Sequence, residues 1–269
     1  MYRYGFIGTG NMGAALARAL DKNMRVALSN RNAAKAQALA DKLGFVATSN
    51  EDVAQNSELV MLGVKPQMLP ELCPTIVDAL KKNAETSGKK PIVITMAAGV
   101  KMQTLCEMLG DTYPVIRIMP NTPVAIGEGV ILASKNELVA DEEFDAFIED
   151  FSGAGSVHKL PEDLIDAGTV VSGCGPAYIY MYMEALAKAG ESLGLDCETA
   201  IMLAQETAKG AASLSIQSDK SLEELRISVC SPGGSTIEGV KSFVDSDLDG
   251  IVKKALDCAY KRNKELAGE

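Results

Sequence analysis

Three short stretches of this chain carry residue types at spacings that could do chemistry. The first is Gly8-Thr9-Gly10-Asn11-Met12-Gly13, a GxGxxG turn between a strand-like run, Arg3 to Gly8, and a helical pattern from Gly13 to Lys22. The first glycine allows a tight turn, the second lets backbone approach a pyrophosphate, and the third allows close helix–strand packing. The helix start then offers unpaired N–H groups to the anion. Glycines at this spacing alone are weak evidence, and the strand-to-helix setting is what strengthens the dinucleotide reading. The second stretch is Leu28-Ser29-Asn30-Arg31-Asn32. A site for NAD usually carries a carboxylate about 20 residues beyond the glycines, to hold a ribose 2′-hydroxyl. No acid stands here. Arg31 offers a planar fork that suits a 2′-phosphate, and Ser29 and Asn30 can donate hydrogen bonds. NADP(H) is therefore the expected cofactor, and use of NAD(H) stays open; a solvated arginine at a helix start is the bland alternative. The third stretch is Ser231-Pro232-Gly233-Gly234-Ser235-Thr236. Two glycines before a helix leave backbone N–H groups for a carboxylate, strengthened by the helix dipole. The same residues also read as a plain helix start, because Ser235-x-x-Glu238 has the spacing of a capping box. On the residues alone the two readings stand level.

Further motifs give the chain a resemblance to a known family. Val64-Lys65-Pro66-Gln67, Ala97-Ala98-Gly99-Val100, Arg117-Ile118-Met119-Pro120-Asn121-Thr122-Pro123 and Ser172-Gly173-Cys174-Gly175-Pro176-Ala177-Tyr178 follow one another in the order of the pyrroline-5-carboxylate reductases. With the Ser231 to Thr236 segment they span most of the chain, and it resembles that family. The departures are Ser235, where relatives often carry threonine or alanine, and Ser228, where some carry asparagine near the substrate.

The resemblance implies a reductase that moves a hydride from NADPH to the C=N bond of 1-pyrroline-5-carboxylate, the last step of proline biosynthesis. It assigns the cofactor to Ile7, Gly8, Thr9, Gly10, Asn11, Met12, Gly13, Asn30, Arg31, Asn50 on the adenosine side, and Gly63, Val64, Lys65, Pro66, Met96, Ala97 and Ala98 on the nicotinamide side, with Asn121. It assigns the substrate to Ser228, Ser231, Gly233, Gly234, Thr236 and Val64, with Thr236 as the catalytic residue and no metal. Such a reaction needs the carboxylate held without a bulky charge in the hydride's path. It also needs the ring nitrogen protonated or hydrogen-bonded, while the protein supplies positioning and electrostatics. Thr236 suits an orienting donor better than a general acid. Lys65 also reads as a loop lysine, and Asn121 as turn chemistry in Asn-Thr-Pro. Glu162 and Asp163 either face the site or simply open a helix with acids at its positive end, and His158 stays unassigned. Rivals are another imine reductase, a β-hydroxyacid dehydrogenase using a lysine such as Lys188, or a protein that senses NADP without catalysis; the intact Ser231 to Thr236 segment weighs against the last.

The elements that must hold these residues fall into two kinds. Strand-like runs at Arg25 to Ser29, Leu59 to Gly63, Ile92 to Thr95 and Val115 to Ile118 alternate with helical stretches such as Ala33 to Leu43. That alternation implies an α/β fold: an N-terminal Rossmann-type, doubly wound, mainly parallel sheet over residues 1–160. From residue 161 to 269 helical spacing takes over at Pro176 to Leu193, Glu198 to Leu214, Leu222 to Val229 and Leu248 to Leu266. The apolar circumference of Ala177 to Met183 asks for burial on more than one side, so this all-helical domain is expected to mediate dimerisation and bind substrate. The resemblance implies a homodimer at least, in which the helical domains interlock and the two subunits share the active site, and a larger homo-oligomer such as a decamer stays open.

Composition sets the outer limits. The 269 residues are 47% hydrophobic and 23% charged with a net charge of −10, which argues against a duplex nucleic-acid partner. No apolar run approaches the roughly 20 residues of a membrane span, and no signal-peptide pattern opens the chain, so a cytoplasmic protein is expected. The six cysteines, Cys73, Cys106, Cys174, Cys197, Cys230 and Cys258, form no CxxC pair and are expected reduced and mostly buried. A single histidine leaves little for a zinc site or a triad.

Overall fold

The computed structural model describes residues 1–266 and divides into two compact units, Met1–Cys174 with the residues from Tyr260 onward, and Gly175–Ala259. The first is a twisted sheet of eight strands in the order β3-β2-β1-β4-β5-β6-β7-β8. Its strands are β1 (Tyr2–Ile7), β2 (Val26–Ser29), β3 (Val46–Ala47), β4 (Ser57–Leu62), β5 (Ile92–Thr95), β6 (Val115–Pro120), β7 (Gly129–Lys135) and β8 (Gly155–Lys159). All neighbours run parallel except β6 and β7, which pair antiparallel. Strands β1, β4, β5 and β6 read as near-continuous apolar runs because helices cover both faces of the sheet.

Those helices are α1 (Asn11–Ala19), α2 (Ala33–Leu43), α3 (Asn50–Asn56), α4 (Leu69–Ser87), α5 (Met102–Leu109), α6 (Asp141–Asp150) and α7 (Glu162–Gly168). One face packs Phe6, Leu28, Met61 and Ile94 against Leu16 of α1 and Phe144 and Phe147 of α6. The other packs Ile7, Val60, Leu62 and Val93 against Val53 of α3, Ile76 and Leu80 of α4, and Leu105 of α5. The expected doubly wound sheet is present. The sequence reading names no element at β3, β7, β8, α3, α4, α5 or α6, and it begins α1 two residues late. The α1 helix opens at Asn11 because Gly10 is its N-cap, and it ends at Ala19 because Leu20 turns to an extended conformation.

The second unit is helical: α8 (Gly175–Ser192), α9 (Cys197–Gln217), α10 (Leu222–Ser228), α11 (Ser235–Asp245) and the start of α12 (Leu248–Leu266). The expected division after residue 160 and the compact division at Gly175 differ by α7 and the π-helical turn Thr169–Gly173 that follows it. That stretch folds with the sheet, since Ile165 is buried beside Met119 and Leu132. Within the helical unit the buried apolar side chains among the described residues are Ala187, Ala200 and Ala204, which seat α8 on α9. Ile179, Tyr180, Met181, Leu193, Ile216, Leu222, Phe243 and Ile251 stand exposed. A patchwork of that size is uncommon on a monomer's surface.

The cysteine expectation is corrected in part. All six are free thiols, but only Cys73 and Cys106 are buried, while Cys197 and Cys258 are exposed. Both exposed ones lie on helices that have few buried positions to offer. Among the described residues no helix is long and apolar enough to cross a membrane, and no cluster of ligating side chains suits a metal ion.

Candidate active site

The glycines of the first turn are fixed by a three-way approach of backbone. Gly8 sits at φ +99, and a side chain there would press on the Gly63 carbonyl at 2.7 Å and on Val64 at 2.9 Å. A Cβ on Gly13 or on Gly63 would collide with the Gly8 carbonyl. The turn is pinned on both sides, since the Gly8 N–H donates to Ser29 and the Gly63 N–H donates to Ile7, at 3.0 and 2.8 Å. Gly10, by contrast, faces open space. It caps α1 with no side-chain bond, so the N–H groups of the first helical turn stay available to an anion.

The expected cofactor residues gather along the carboxyl ends of β1, β2 and β4. Ile7, Gly8, Gly10, Asn30, Arg31, Asn50, Gly63, Val64 and Lys65 line one hollow of about 480 Å³. Thr9, Gly10, Asn11, Asn30 and Arg31 line a second of about 570 Å³, and Ser29, Asn30, Arg31 and Asn50 a third of about 590 Å³. Asn30 and Arg31 are common to all three. The strand order reverses between β1 and β4, and ligands of open α/β sheets bind across the carboxyl ends at such a switch point.

Arg31 is exposed and makes no hydrogen bond or ion pair among the described residues, so its whole fork is available. Two cations that the sequence reading missed, Arg18 and Lys35, share a hollow with it. A signal existed for Lys35, because a lysine in the first turn of α2 opposes the helix dipole, and that turn holds no acid. Ser29 is a correction. Its hydroxyl is buried and committed to the Asn50 side-chain oxygen at 2.6 Å and the Phe6 carbonyl at 3.1 Å, so it orients Asn50 rather than meeting a phosphate. Asn30 is half committed, with its amide nitrogen on the Thr9 hydroxyl at 3.0 Å and its oxygen on the Asn32 N–H at 3.0 Å.

Beyond Gly63, Lys65 is exposed and Pro66 opens a single 3₁₀ turn, Pro66–Met68. Met12 and Met96 pack partly buried on the core, and Ala97 is fully buried, so it can offer backbone but no side chain. Ala98 packs beside Met119 and Ile165. Asn121 is buried with its amide spent at both ends, donating to the Ser172 carbonyl at 3.0 Å and accepting the Val130 N–H at 2.9 Å. Its geometry is that of a framework residue.

Arg117, the first residue of the Arg-x-Met-Pro segment, is wholly buried and pairs with Asp166 at 2.7 Å and Glu162 at 3.6 Å. Glu162 is thus the half-buried partner of a buried Arg117–Asp166 pair, whereas Asp163 and His158 are exposed, the latter beside Ser156.

The Ser231 to Thr236 segment opens α11, and here the capping-box reading fails. The N-cap is Gly234 rather than Ser235, and no side chain caps it. Gly233 at φ +72 and the bond from the Gly234 N–H to the Ser231 carbonyl, 3.0 Å, bring the chain into the helix one residue early. Position N3 then falls on Ile237, and Glu238 pairs with Lys241 instead. The Gly234 N–H is spent, so the open donors are those of Ser235, Thr236 and Ile237. The side chains of Ser231 and Thr236 are exposed. Ser228 ends α10 with its hydroxyl donated to the Leu225 carbonyl at 2.7 Å. Lys188 is exposed and paired with Glu184 at 2.6 Å, which raises its pKa and keeps it charged.

Comparison with known proteins decides the family. Residues 162–266 match the model described as pyrroline-5-carboxylate reductase dimerisation, and residues 3–99 match the one described as NADP oxidoreductase, coenzyme F420-dependent. Pyrroline-5-carboxylate reductases from Pisum sativum and Pseudomonas aeruginosa are 34% and 35% identical, over 99% and 98% of this chain and 96% and 97% of theirs. The chain belongs to the pyrroline-5-carboxylate reductase family. Among solved structures, the reductase of Coxiella burnetii superposes with a TM-score of 0.90 at 34% identity, covering 99% of this chain and 98% of that one. The pyrroline carboxylate reductase of Plasmodium falciparum, solved with NADP bound, gives 0.85 at 27%, with the same coverage. Membership of this family places the chain among NAD(P)H-dependent oxidoreductases and agrees with the fold described above.

Proposed function

We propose that the chain reduces the C=N bond of 1-pyrroline-5-carboxylate to give L-proline, taking a hydride from NADPH. The observation that carries this reading is that similarity to named reductases runs through both units, over 97% or more of the chain in several relatives. The residues present fit the cofactor on their own chemistry. Gly10 opens space at an uncapped helix start, and Arg18, Arg31 and Lys35 line one hollow that holds no acid. NADPH supplies the hydride when bound. Preference for it over NADH rests on Arg31, supported by Lys35, with NADH as a weaker second donor.

For the substrate, the N–H groups of Ser235 and Thr236 and the hydroxyl of Ser231 hold the carboxylate at the start of α11. The hydroxyl of Thr236 donates to the ring nitrogen and orients the imine. Ser228, Gly233 and Gly234 shape this segment, and Val64 borders the cofactor groove. Burial of Ala97 and the double bonding of Asn121 support framework roles for both. A homodimer is part of the reading, supported by the exposed apolar faces of the helical unit; action in the cytoplasm is supported by six free thiols. The charged, paired Lys188 speaks against a β-hydroxyacid dehydrogenase with a lysine base.

The test follows NADPH by its absorbance: its oxidation with 1-pyrroline-5-carboxylate and, separately, its formation from NADP with a β-hydroxyacid. Turnover with the imine and none with the hydroxyacid is expected. Turnover only with the hydroxyacid, or binding of NADPH with no reduction of the imine, overturns the reading.

A further inference from the structure

We propose that Glu162 is a positioning residue for the nicotinamide half of the cofactor groove, through its hold on the turn that follows β5. The inference rests on the dinucleotide reading above. The strand order reverses between β1 and β4, and Arg31 and its neighbouring cations stand at the end of β2. A dinucleotide lying across the carboxyl ends of such a sheet puts one nucleotide on each side of the reversal. With the phosphate-reading cations on the β2 side, the other nucleotide lies over β4 and β5. Residues 96–101, between β5 and α5, are then its floor.

That turn is held at both ends. At its start the Ala97 N–H donates to the Thr95 hydroxyl at 3.2 Å. In the middle the Val100 N–H reaches the Ala97 carbonyl at 3.3 Å, and Gly99 sits at φ +73. At its end the Met102 N–H, the first of α5, donates to Oε1 of Glu162 at 2.7 Å, across 60 residues of sequence. The α5 helix has no side-chain cap of its own at Lys101, so Glu162 supplies the missing acceptor at the positive end of the helix.

Glu162 is itself anchored from beneath. The same Oε1 lies 3.6 Å from Arg117, whose other nitrogen pairs with Asp166 at 2.7 Å. Arg117 is fully buried on β6, in register with Thr95 of β5, and its Nε and Nη1 make no hydrogen bond. Its charge is therefore balanced by two carboxylates of α7 alone among the described residues. Thr95 at one end and Glu162 at the other thus tie the turn to adjacent strands, and Ala98 packs on the same α7 helix through Ile165. An exposed helix start would need no such tether from a buried arginine; a turn whose backbone must sit at a fixed height under a planar ring would.

The test compares Glu162→Ala with Glu162→Gln. Glutamine keeps an oxygen for the Met102 N–H and loses the charge facing Arg117. The alanine variant should lower kcat by about tenfold or more, the scale of one lost charge-assisted hydrogen bond, and weaken NADPH binding. Binding of 2′,5′-ADP, which carries only the adenosine half, should match the wild type, and glutamine should restore most of kcat. Equal weakening of NADPH and 2′,5′-ADP would reveal general damage and overturn the inference. So would an alanine variant with unchanged kcat and NADPH affinity, or a glutamine variant as impaired as alanine. If the wild type binds NADPH yet does not reduce the imine, the functional reading fails while the two binding measurements still test Glu162.

Discussion

Replacing Arg31 with alanine isolates what the chain spends on a 2′-phosphate. The side chain stands in solvent at the mouth of three adjoining hollows and has no partner within the described residues to lose. The substitution therefore removes a ligand contact without breaking an internal one. A hydrogen bond to a charged group is worth about 1.5–3 kcal/mol. Exposure puts Arg31 at the low end, and Lys35 and Arg18 keep positive charge in the same hollow. About 1.5 kcal/mol corresponds to roughly tenfold in affinity. The KM for NADPH should rise by about that factor, while the KM for NADH, which lacks the phosphate, and both kcat values stay close to the wild type. Arg31→Lys should fall between, since it keeps the charge and loses the fork. The NADPH penalty should shrink at high salt, where exposed charges are screened. Steady-state kinetics with both cofactors at two ionic strengths decide the matter. An equal rise with NADH, or none with NADPH, refutes the assignment of Arg31 to the 2′-phosphate.

Thr236→Ala should lower kcat by about tenfold, the worth of one hydrogen bond of 1–2 kcal/mol, whereas Thr236→Ser keeps much of the activity and both leave NADPH affinity alone. A normal kcat in the alanine variant would sink the donor role. Burial raises the Cys73 thiol from 9.0 to about 11. The stability this contributes is fully present below the unfolded thiol value, and is lost as pH rises from there toward about 11. A Cys73→Ala variant should accordingly show a flatter fall of Tm across that alkaline window. Iodoacetamide mapping of the native protein should leave Cys73 unmodified, and rapid alkylation there would contradict its burial. Light scattering at micromolar concentration should give at least twice the mass of one chain, and a fully active monomer would contradict the dimer.

Which elements were legible follows from how each announces itself. The strands β1, β2, β5 and β6 are apolar on both faces and stand out as runs. The two-residue β3 has nothing to announce, and β8 carries Ser156, His158 and Lys159 exposed at the sheet edge. The acid-rich α6 hides its buried stripe, Phe144 and Phe147, among aspartates and glutamates. The glycine turn was readable because no other residue fits beside the Gly8 carbonyl. For Glu162 two readings stay open in the sequence, because its partners are a backbone N–H 60 residues away and an arginine on another strand. The start of α11 was misread by one residue because the left-handed conformation at Gly233 leaves no mark that separates it from Gly234.

Among the described residues, three helices carry side-chain caps of their own. Ser49 caps α3, Asp196 caps α9, and Ser221 forms a capping box with Glu224 on α10. At α1 and α11 the N-cap is a glycine with no side-chain bond. A side-chain cap is worth about 0.5–2 kcal/mol, and glycine recovers most of that only because water reaches the bare N–H groups. A serine or aspartate at Gly10 or Gly234 would occupy those donors from within. It would also meet the Ser231 hydroxyl at 2.5 Å in the second case. Leaving them bare keeps two dipole-favoured anion seats in one chain, one suited to a pyrophosphate beside β1 and one to a carboxylate beside Thr236. The two anions that the proposed reaction must hold are of those kinds, so the bare helix starts and the chemistry point to the same residues.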